Sequence, residues 1–359
     1  MSAIVEATAS YEAWMRKRIP VVERDLRAKH RAMAAAAFPF LRATFYRWVP
    51  LWQELCPDLA ATPPLLAVGD LHVENFGTWR DAEGRLCWGV NDFDEAFVMP
   101  YAIDLVRLAT SALLAIRADR LRIGADEACS ALLEGYRETM LAGAGRGFVL
   151  EEEHPALRRM ALGEERDPER FWAKLGATQT TDAPRAVRKL LRKALPEIDG
   201  APRIAHRVAG LGSLGRPRYV AIALAQGGMV AREAKAMLPS AYGFALGLKE
   251  KAPLCGELAD RAIRSPDPFY RARKGWMLRR LGPHCSAILL ADYPKRRDER
   301  LLLKAMGRET GNVHLGGPDA AAAIRRDLRR RKGRWLHEAA RRMADATLGD
   351  WKEWRACRG

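Results

Sequence analysis

LLAVGDLHVENFG (residues 65–77) and RLCWGVNDFDEA (residues 85–96) are the stretches that decide how this chain folds. Each is a short apolar run ending in acids, which predicts two short strands, in 65–72 and 85–96, with a loop between them. Asp70 and Asn75 stand five positions apart in that loop, and Asp92 follows seventeen residues after Asn75. This is the spacing logic of a phosphotransferase loop. Asp70 would orient the acceptor hydroxyl and take its proton, Asn75 would reach a metal, and Asp92, with Asp94 beside it, would hold Mg²⁺ on nucleotide phosphates. Hard oxygen donors suit Mg²⁺, whereas His72, without a partner at metal-ligand spacing, is a weak zinc signal. The competing reading is a polar strand-end loop in which Asp and Asn cap turns.

The charge around these stretches departs from that of the rest of the chain. Residues 65–104 hold eight acids and two bases, net −6, inside a 359-residue chain of net +16, and residues 318–359 hold twelve bases and six acids. An acidic island in a basic protein suggests a cation site, because clustered carboxylates repel unless a metal or basic neighbours hold them. The basic remainder favours anionic partners such as a nucleotide or nucleic acid.

Further out, the apolar spacing of the first sixty residues predicts helices punctuated by Pro20, Pro39 and Pro50. Residues 103–116 are helical, with Asp104 near the start where a carboxylate suits a helix N-terminus. Helical patterns continue over 125–142, 150–162, 168–176 and 183–195. The segment 203–235 is extended, with Gly227-Gly228 as a hairpin turn. Residues 276–282 and 286–292 predict two more strands, and the chain is helical again from 295, ending in an Ala/Arg-rich segment over 318–348. Blocks of this kind point to an α+β fold with a small sheet, not a doubly wound α/β fold.

GLGSLG, residues 210–215, falls between two strand-like runs. A dinucleotide fold would need a helix directly after it, but RYVAI (218–222) reads as strand. No Gly-Lys-Ser/Thr follows, and Leu211 excludes a nucleophile elbow. A Gly-rich turn between strands, with a cation on the next strand, is how protein kinases cover nucleotide phosphates. Gly210, Gly212, Ser213 and Gly215 are therefore candidate nucleotide contacts, with Arg232 or Lys235 of MVAREAK as the cation. A plain β-turn is the competing reading. Asp70 precedes Gly210 by some 140 residues, the reverse of the usual kinase order, so a kinase-like fold here is two-lobed and circularly permuted. Residues 1–200 would carry the catalytic loop within a helical lobe, 201–294 would form a small antiparallel β-rich lobe, and 295–359 would complete the helical lobe.

GDLHVENFG, NDFDEA, PYAIDLVRLATS, GLGSLGRPRY with REAK, and KRRDERLLLKAMGRETGNVHLG together resemble the bacterial family labelled domain of unknown function 2252 over most of the chain. That family is distantly similar to the aminoglycoside phosphotransferase and choline kinase group, in which a Gly-Asp-Leu-His loop and an Ile-Asp-Phe-Glu strand match residues 69–72 and 91–94. The resemblance implies that Asp70 is the catalytic aspartate, that Asn75 and Asp92 are Mg²⁺ ligands, and that Asp104 packs beneath the loop. Two positions depart from the pattern. Asn91 replaces an apolar residue, and Arg232-Glu233-Ala234 replaces Lys-Glu-Ala, so either the nucleotide cation is Arg232, bulkier and bidentate, or it is Lys235, or phosphotransfer is impaired.

No run of 18 apolar residues or signal-like N-terminus is present, which predicts a soluble cytoplasmic protein with no membrane partner. The six cysteines are scattered, with no C-x-x-C pair. Glu309, Asn312 and His314 fall in a Gly-rich stretch that reads as a loop before the last helices, near the cleft or capping it. The basic run Arg325–Arg334 fits a solvated helix face better than a nucleic-acid site. The leading expectation is an ATP- and Mg²⁺-dependent phosphotransferase with an unidentified hydroxyl acceptor, small molecule or protein. The alternatives are a nucleotide-binding pseudokinase or regulatory module and a nucleic-acid-binding protein.

Overall fold

A computed structural model describes residues 2–151, 153–163, 166–295 and 297–358. The chain is a mixed α+β protein with small antiparallel sheets. Its first helices are α1 (Ala3–Arg16), α2 (Glu23–Ala35), α3 (Ala37–Ala43), α4 (Phe45–Leu55) and α5 (Pro57–Ala60). Pro20 separates α1 from α2, but Pro39 and Pro50 lie inside α3 and α4. Pro39 sits in a first turn, where its missing N–H costs nothing.

Four strands follow: β1 (Pro64–Ala67), β2 (Phe76–Arg80), β3 (Leu86–Val90) and β4 (Phe97–Pro100). The sequence predicts one strand on each side of the loop; the structure has two pairs. β1 runs antiparallel to β4, with Leu65 opposite Met99, and β2 pairs with β3, with Thr78 opposite Trp88. Both motif loops, 68–75 and 91–96, therefore lie at the same ends of these pairs. Next come α6 (Ala102–Arg117), α7 (Ala125–Ala142), β5 (Phe148–Val149), α8 (Pro155–Ala161), α9 (Pro168–Gly176) and α10 (Arg185–Ala194). The helix expected over 150–162 begins only at Pro155, and Glu152 lies outside the described residues.

The extended region forms a five-stranded antiparallel sheet of β6 (Arg203–His206), β7 (Arg218–Ala225), β8 (Gly228–Ala236), β9 (Arg271–Arg273) and β10 (Trp276–Leu281), in the order β6-β7-β8-β10-β9. Alternation splits its two faces. Ala221, Ala223, Ala234 and Leu278 pack under Val187 and Leu191 of α10, while Val220, Ile222, Ala231 and Leu281 pack with Leu175 of α9. The β7–β8 turn centres on Gln226 and Gly227, at φ +50° and +83°, one residue earlier than the predicted Gly227-Gly228. This is the two-residue hairpin geometry that matches strand twist.

The short α11 (Ala241–Ala245) and α12 (Cys255–Arg261) connect β8 to β9. After β10, the strand expected over 286–292 is only β11 (Ser286–Ala287), which joins β2, followed by a 3₁₀ turn at Leu290–Asp292. The last helices are α13 (Glu299–Leu315), α14 (Pro318–Arg330) and α15 (Trp335–Arg358). Gly333, at φ +74°, lies in the break between α14 and α15, where one helix was expected through 318–348. On α14, Ile324 and Leu328 are buried while Arg326, Arg329 and Arg330 are exposed, a solvated basic face.

Glu309, Asn312 and His314 lie in α13, not in a loop, and all three are buried. The glycines that suggested a break serve close helix packing. A Cβ on Gly307 would stand 2.0 Å from the Leu132 carbonyl of α7, and one on Gly135 of α7 would stand 2.0 Å from the Lys304 carbonyl. The largest core cluster joins Trp48 and Trp52 of α4, most of α6, Trp88 of β3, Tyr136 of α7 and Met343 of α15. No described helix is long and apolar enough to cross a membrane.

Candidate functional site

The first carboxylate of the site is placed from beneath. Asp104, in the first turn of α6, accepts the amides of Val68 and Gly69 at 2.8 and 2.7 Å, and its Oδ2 meets His314 Nε2 at 3.0 Å. Gly69 has φ +87°, and a Cβ there would come 2.8 Å from the Glu95 carbonyl, so glycine is required. One turn along α6, the buried Arg107 grips Asp70 Oδ1 with Nε at 3.0 Å and Nη2 at 2.6 Å, and it packs over the rings of Phe45 and Trp48. Burial raises the Asp70 carboxyl above its ordinary range against the pull of Arg107.

Asn75 joins the two motif loops. Its Nδ2 donates to the Asp92 carbonyl at 2.9 Å and to the Asp70 carbonyl at 3.3 Å, and its Oδ1 accepts the Asp92 amide at 2.9 Å. The side chain thus positions Asp92 with both of its polar ends. The His72 ring accepts the Glu74 amide through Nδ1, and burial holds it well below its ordinary pKa, so it is a neutral part of the loop.

Asp92 and Asp94 form a pair closed by Lys235 of β8, whose Nζ lies 2.8 Å from Asp92 Oδ2 and 2.7 Å from Asp94 Oδ2. Burial opposes the charge on both. The Lys235 ammonium nonetheless holds Asp92 below the carboxylate range, while burial and the Asp92 charge push Asp94 up. Arg216 donates to Asp94, Glu95 and the Tyr11 hydroxyl, at 3.1 to 3.2 Å. Asn91, next to Asp92, accepts from Arg279 Nη1 at 3.1 Å. Arg279, Arg218 and Arg207 all converge on Glu233, which is fully buried.

Residues 210–215 lie in the connection between β6 and β7, with a 3₁₀ turn at Leu211–Ser213. Gly210 and Gly215 take φ of +71° and +96°. Gly212 is glycine for a different reason: a Cβ would stand 2.9 Å from the Arg42 carbonyl and 3.6 Å from Asp70 Oδ2. The loop therefore runs beside the candidate catalytic aspartate. Ser213 Oγ receives Arg218 Nη2 at 2.6 Å, and Gly215 faces Leu26.

Asp70, Asn75, Asp92, Asp94, Gly210, Gly212 and Ser213 line one cleft of about 770 Å³. The two candidate cations separate, because residues 232 and 235 fall on opposite faces of a strand. Lys235 points to the aspartates, whereas Arg232 donates to the Ala194 carbonyl and stacks 4.1 Å over the Phe269 ring, away from the cleft. Sequence reasoning missed Lys29, Arg107, Arg216 and Arg279. Arg107 had a visible signal, a lone charge inside the apolar run of 105–116. Lys29 had a weaker one, sharing the spacing of Leu26 and Met33 on the buried face of α2.

A protein-family model described as an uncharacterized protein conserved in bacteria, DUF2252, matches residues 18–200. The match takes in both motif loops and α6 and ends before β6. No curated protein and no solved structure matches the chain.

Proposed function

The chain belongs to this bacterial family, and we propose that it is an ATP- and Mg²⁺-dependent phosphotransferase acting on a hydroxyl acceptor. The fold would be kinase-like, two-lobed and circularly permuted: 201–294 would be the small sheet lobe, with α9 and α10 packed on its two faces, and the rest of 1–200 with 295–359 would be the helical lobe. One observation carries this reading. The Gly-rich loop and the Asp70/Asp92/Asp94 set, far apart in sequence, meet on one cleft, with the Cβ position of Gly212 3.6 Å from Asp70 Oδ2.

In this reading Arg107 fixes Asp70 Oδ1 and leaves Oδ2 to orient the acceptor hydroxyl and take up its proton. Asn75 keeps Asp92 in place through its backbone. The donor set fits Mg²⁺. Asp94 Oδ1 is buried with no hydrogen-bond partner among the described residues, and two carboxylates plus phosphate oxygens are how this ion is commonly held. Asp92 and Asp94 would hold it, and it would supply neutralisation of phosphate charge. Gly210, Gly212 and Ser213 would lie over the phosphates.

A nucleotide-binding module without turnover is favoured by a different observation, the Lys235 ammonium already bridging Asp92 and Asp94. Two measurements test these readings. ATP with Mg²⁺ should raise the melting temperature by several degrees, and the absence of any shift would sink both. Asp70→Asn should lower ADP formation by about 10²–10⁴-fold while nucleotide binding persists. Unchanged turnover removes Asp70 from the chemistry, and a wild type that binds but never turns over leaves the module.

A further inference from the structure

Lys29 is 4% exposed, on the inward face of α2 with Leu26 and Met33. Its Nζ donates to the Gly212 carbonyl at 3.2 Å and lies 5.8 and 5.7 Å from the ring centres of Tyr11 and Tyr46. It lines the same cleft as Asp70. Among the described residues it has no ion-pair partner, and the carboxylates facing it are engaged elsewhere. Glu12 of α1 meets His30, Glu95 receives Arg216 and the Ala241 amide, and Asp70 is held by Arg107. A buried ammonium without an anion is costly, and the fold supplies Lys29 with a carbonyl and two aromatic rings but no paired carboxylate. The backbone beside it is open too: among the described residues the amides of Gly210, Leu211 and Gly212 make no hydrogen bond within the protein.

We infer that Lys29 is the cation that receives a phosphoryl oxyanion in this cleft, held against the Gly210–Gly215 loop. The assignment of that oxyanion to a nucleotide rests on the phosphotransferase reading; the anion site itself does not. It also explains how the loop can serve phosphates while Lys235 is committed to Asp92 and Asp94 and Arg232 points away.

Burial, aided by the like charge of Arg216, lowers the Lys29 ammonium to about 8, while Glu12, Glu95 and Asp70 pull the other way. Tyr11 and Tyr46, the remaining titratable groups against it, are pushed up by burial, away from this range. Anion binding needs the protonated amine, so affinity falls as pH rises through 8.

The test is calorimetric binding of inorganic tripolyphosphate and of ATP with Mg²⁺ to the full chain, as wild type, Lys29→Met and Lys29→Arg, at pH 7.2 and 9.2. Lys29→Met should bind tripolyphosphate at least ~10-fold more weakly, the loss of one charge-assisted hydrogen bond, and lose the pH dependence. Since it removes an unpaired buried charge, it should melt no lower than wild type. Lys29→Arg should keep binding at both pH values. Lys29→Met binding like wild type with the same pH profile overturns the inference and leaves the phosphotransferase reading standing. Lys29-dependent tripolyphosphate binding without ATP binding does the reverse, and a wild type that binds neither overturns both.

Discussion

Glu233 has no contact with solvent, and three guanidiniums close on it: Arg207, Arg218 and Arg279. Burial alone would favour the neutral acid, but the arginines hold its pKa well below the ordinary value. The reverse dependence is stronger, since without the carboxylate three cations, Arg218 buried and Arg207 and Arg279 partly so, face one another. Glu233→Gln should therefore lose about 3–5 kcal/mol in urea unfolding, the usual cost of breaking a buried ion pair from one side. The pH behaviour follows from a depressed acid. Its contribution is complete above the unfolded value near ~4.3 and is lost only as pH falls through the lower folded value. The gap between wild type and variant should accordingly stay constant from pH 7 to pH 5. A gap that narrows over that interval, or one below ~1 kcal/mol, would show that the arginines find other partners.

At the level of elements, what the sequence made legible was what local periodicity encodes. The helices α6, α7, α9 and α10 and the β7–β8 hairpin follow from apolar spacing and a Gly-containing turn, because each carries its own signal within a few turns of chain. Of α13 only the first half was legible, since the chain reads as helical from 295 but 307–317 reads as a Gly-rich break, and the reason is physical. Gly307 and Gly311 read as breakers, yet they sit where α13 and α7 come too close for side chains; a Cβ on Gly311 would stand 2.7 Å from Thr139 Cβ. That contact lies some 170 residues away along the chain and leaves no local trace. It matters for the site, since α13 delivers His314 to Asp104 and Glu309 Oε1 to the Val90 amide at 3.2 Å. Gly307→Ala should force the helices apart and destabilise the protein by about 1–3 kcal/mol or more, as overpacking does, although alanine has the better helix propensity. An unfolding midpoint equal to or above wild type would mean that the helices separate without cost.

Over the whole molecule, the five-stranded sheet and the loop leading into β7 are joined to the 91–96 segment by charged side chains: Lys235 to Asp92 and Asp94, Arg216 to Asp94 and Glu95, and Arg279 to Asn91. The sequence identified both sides of this junction but could not choose between Arg232 and Lys235, because the choice depends on which face of β8 meets the cleft. With Lys235 there, one ammonium does work that a divalent ion could also do, neutralising two carboxylates 2.7 to 2.8 Å away. Lys235→Met should separate the two roles. Without the ammonium the paired charges repel, and since Asp92 is 39% exposed and partly hydrated, the cost should be modest, about 1–3 kcal/mol. The variant should then melt a few degrees lower than wild type in EDTA. Mg²⁺ should restore much of the loss, because a ligand that binds only the folded state stabilises it by mass action, and the emptied pair is a better site than the occupied one. Wild type, with Lys235 in place, should respond less to Mg²⁺ alone. Equal Mg²⁺ shifts in the two proteins would mean that the ion does not use Asp92 and Asp94, and the metal assignment would fall with that result.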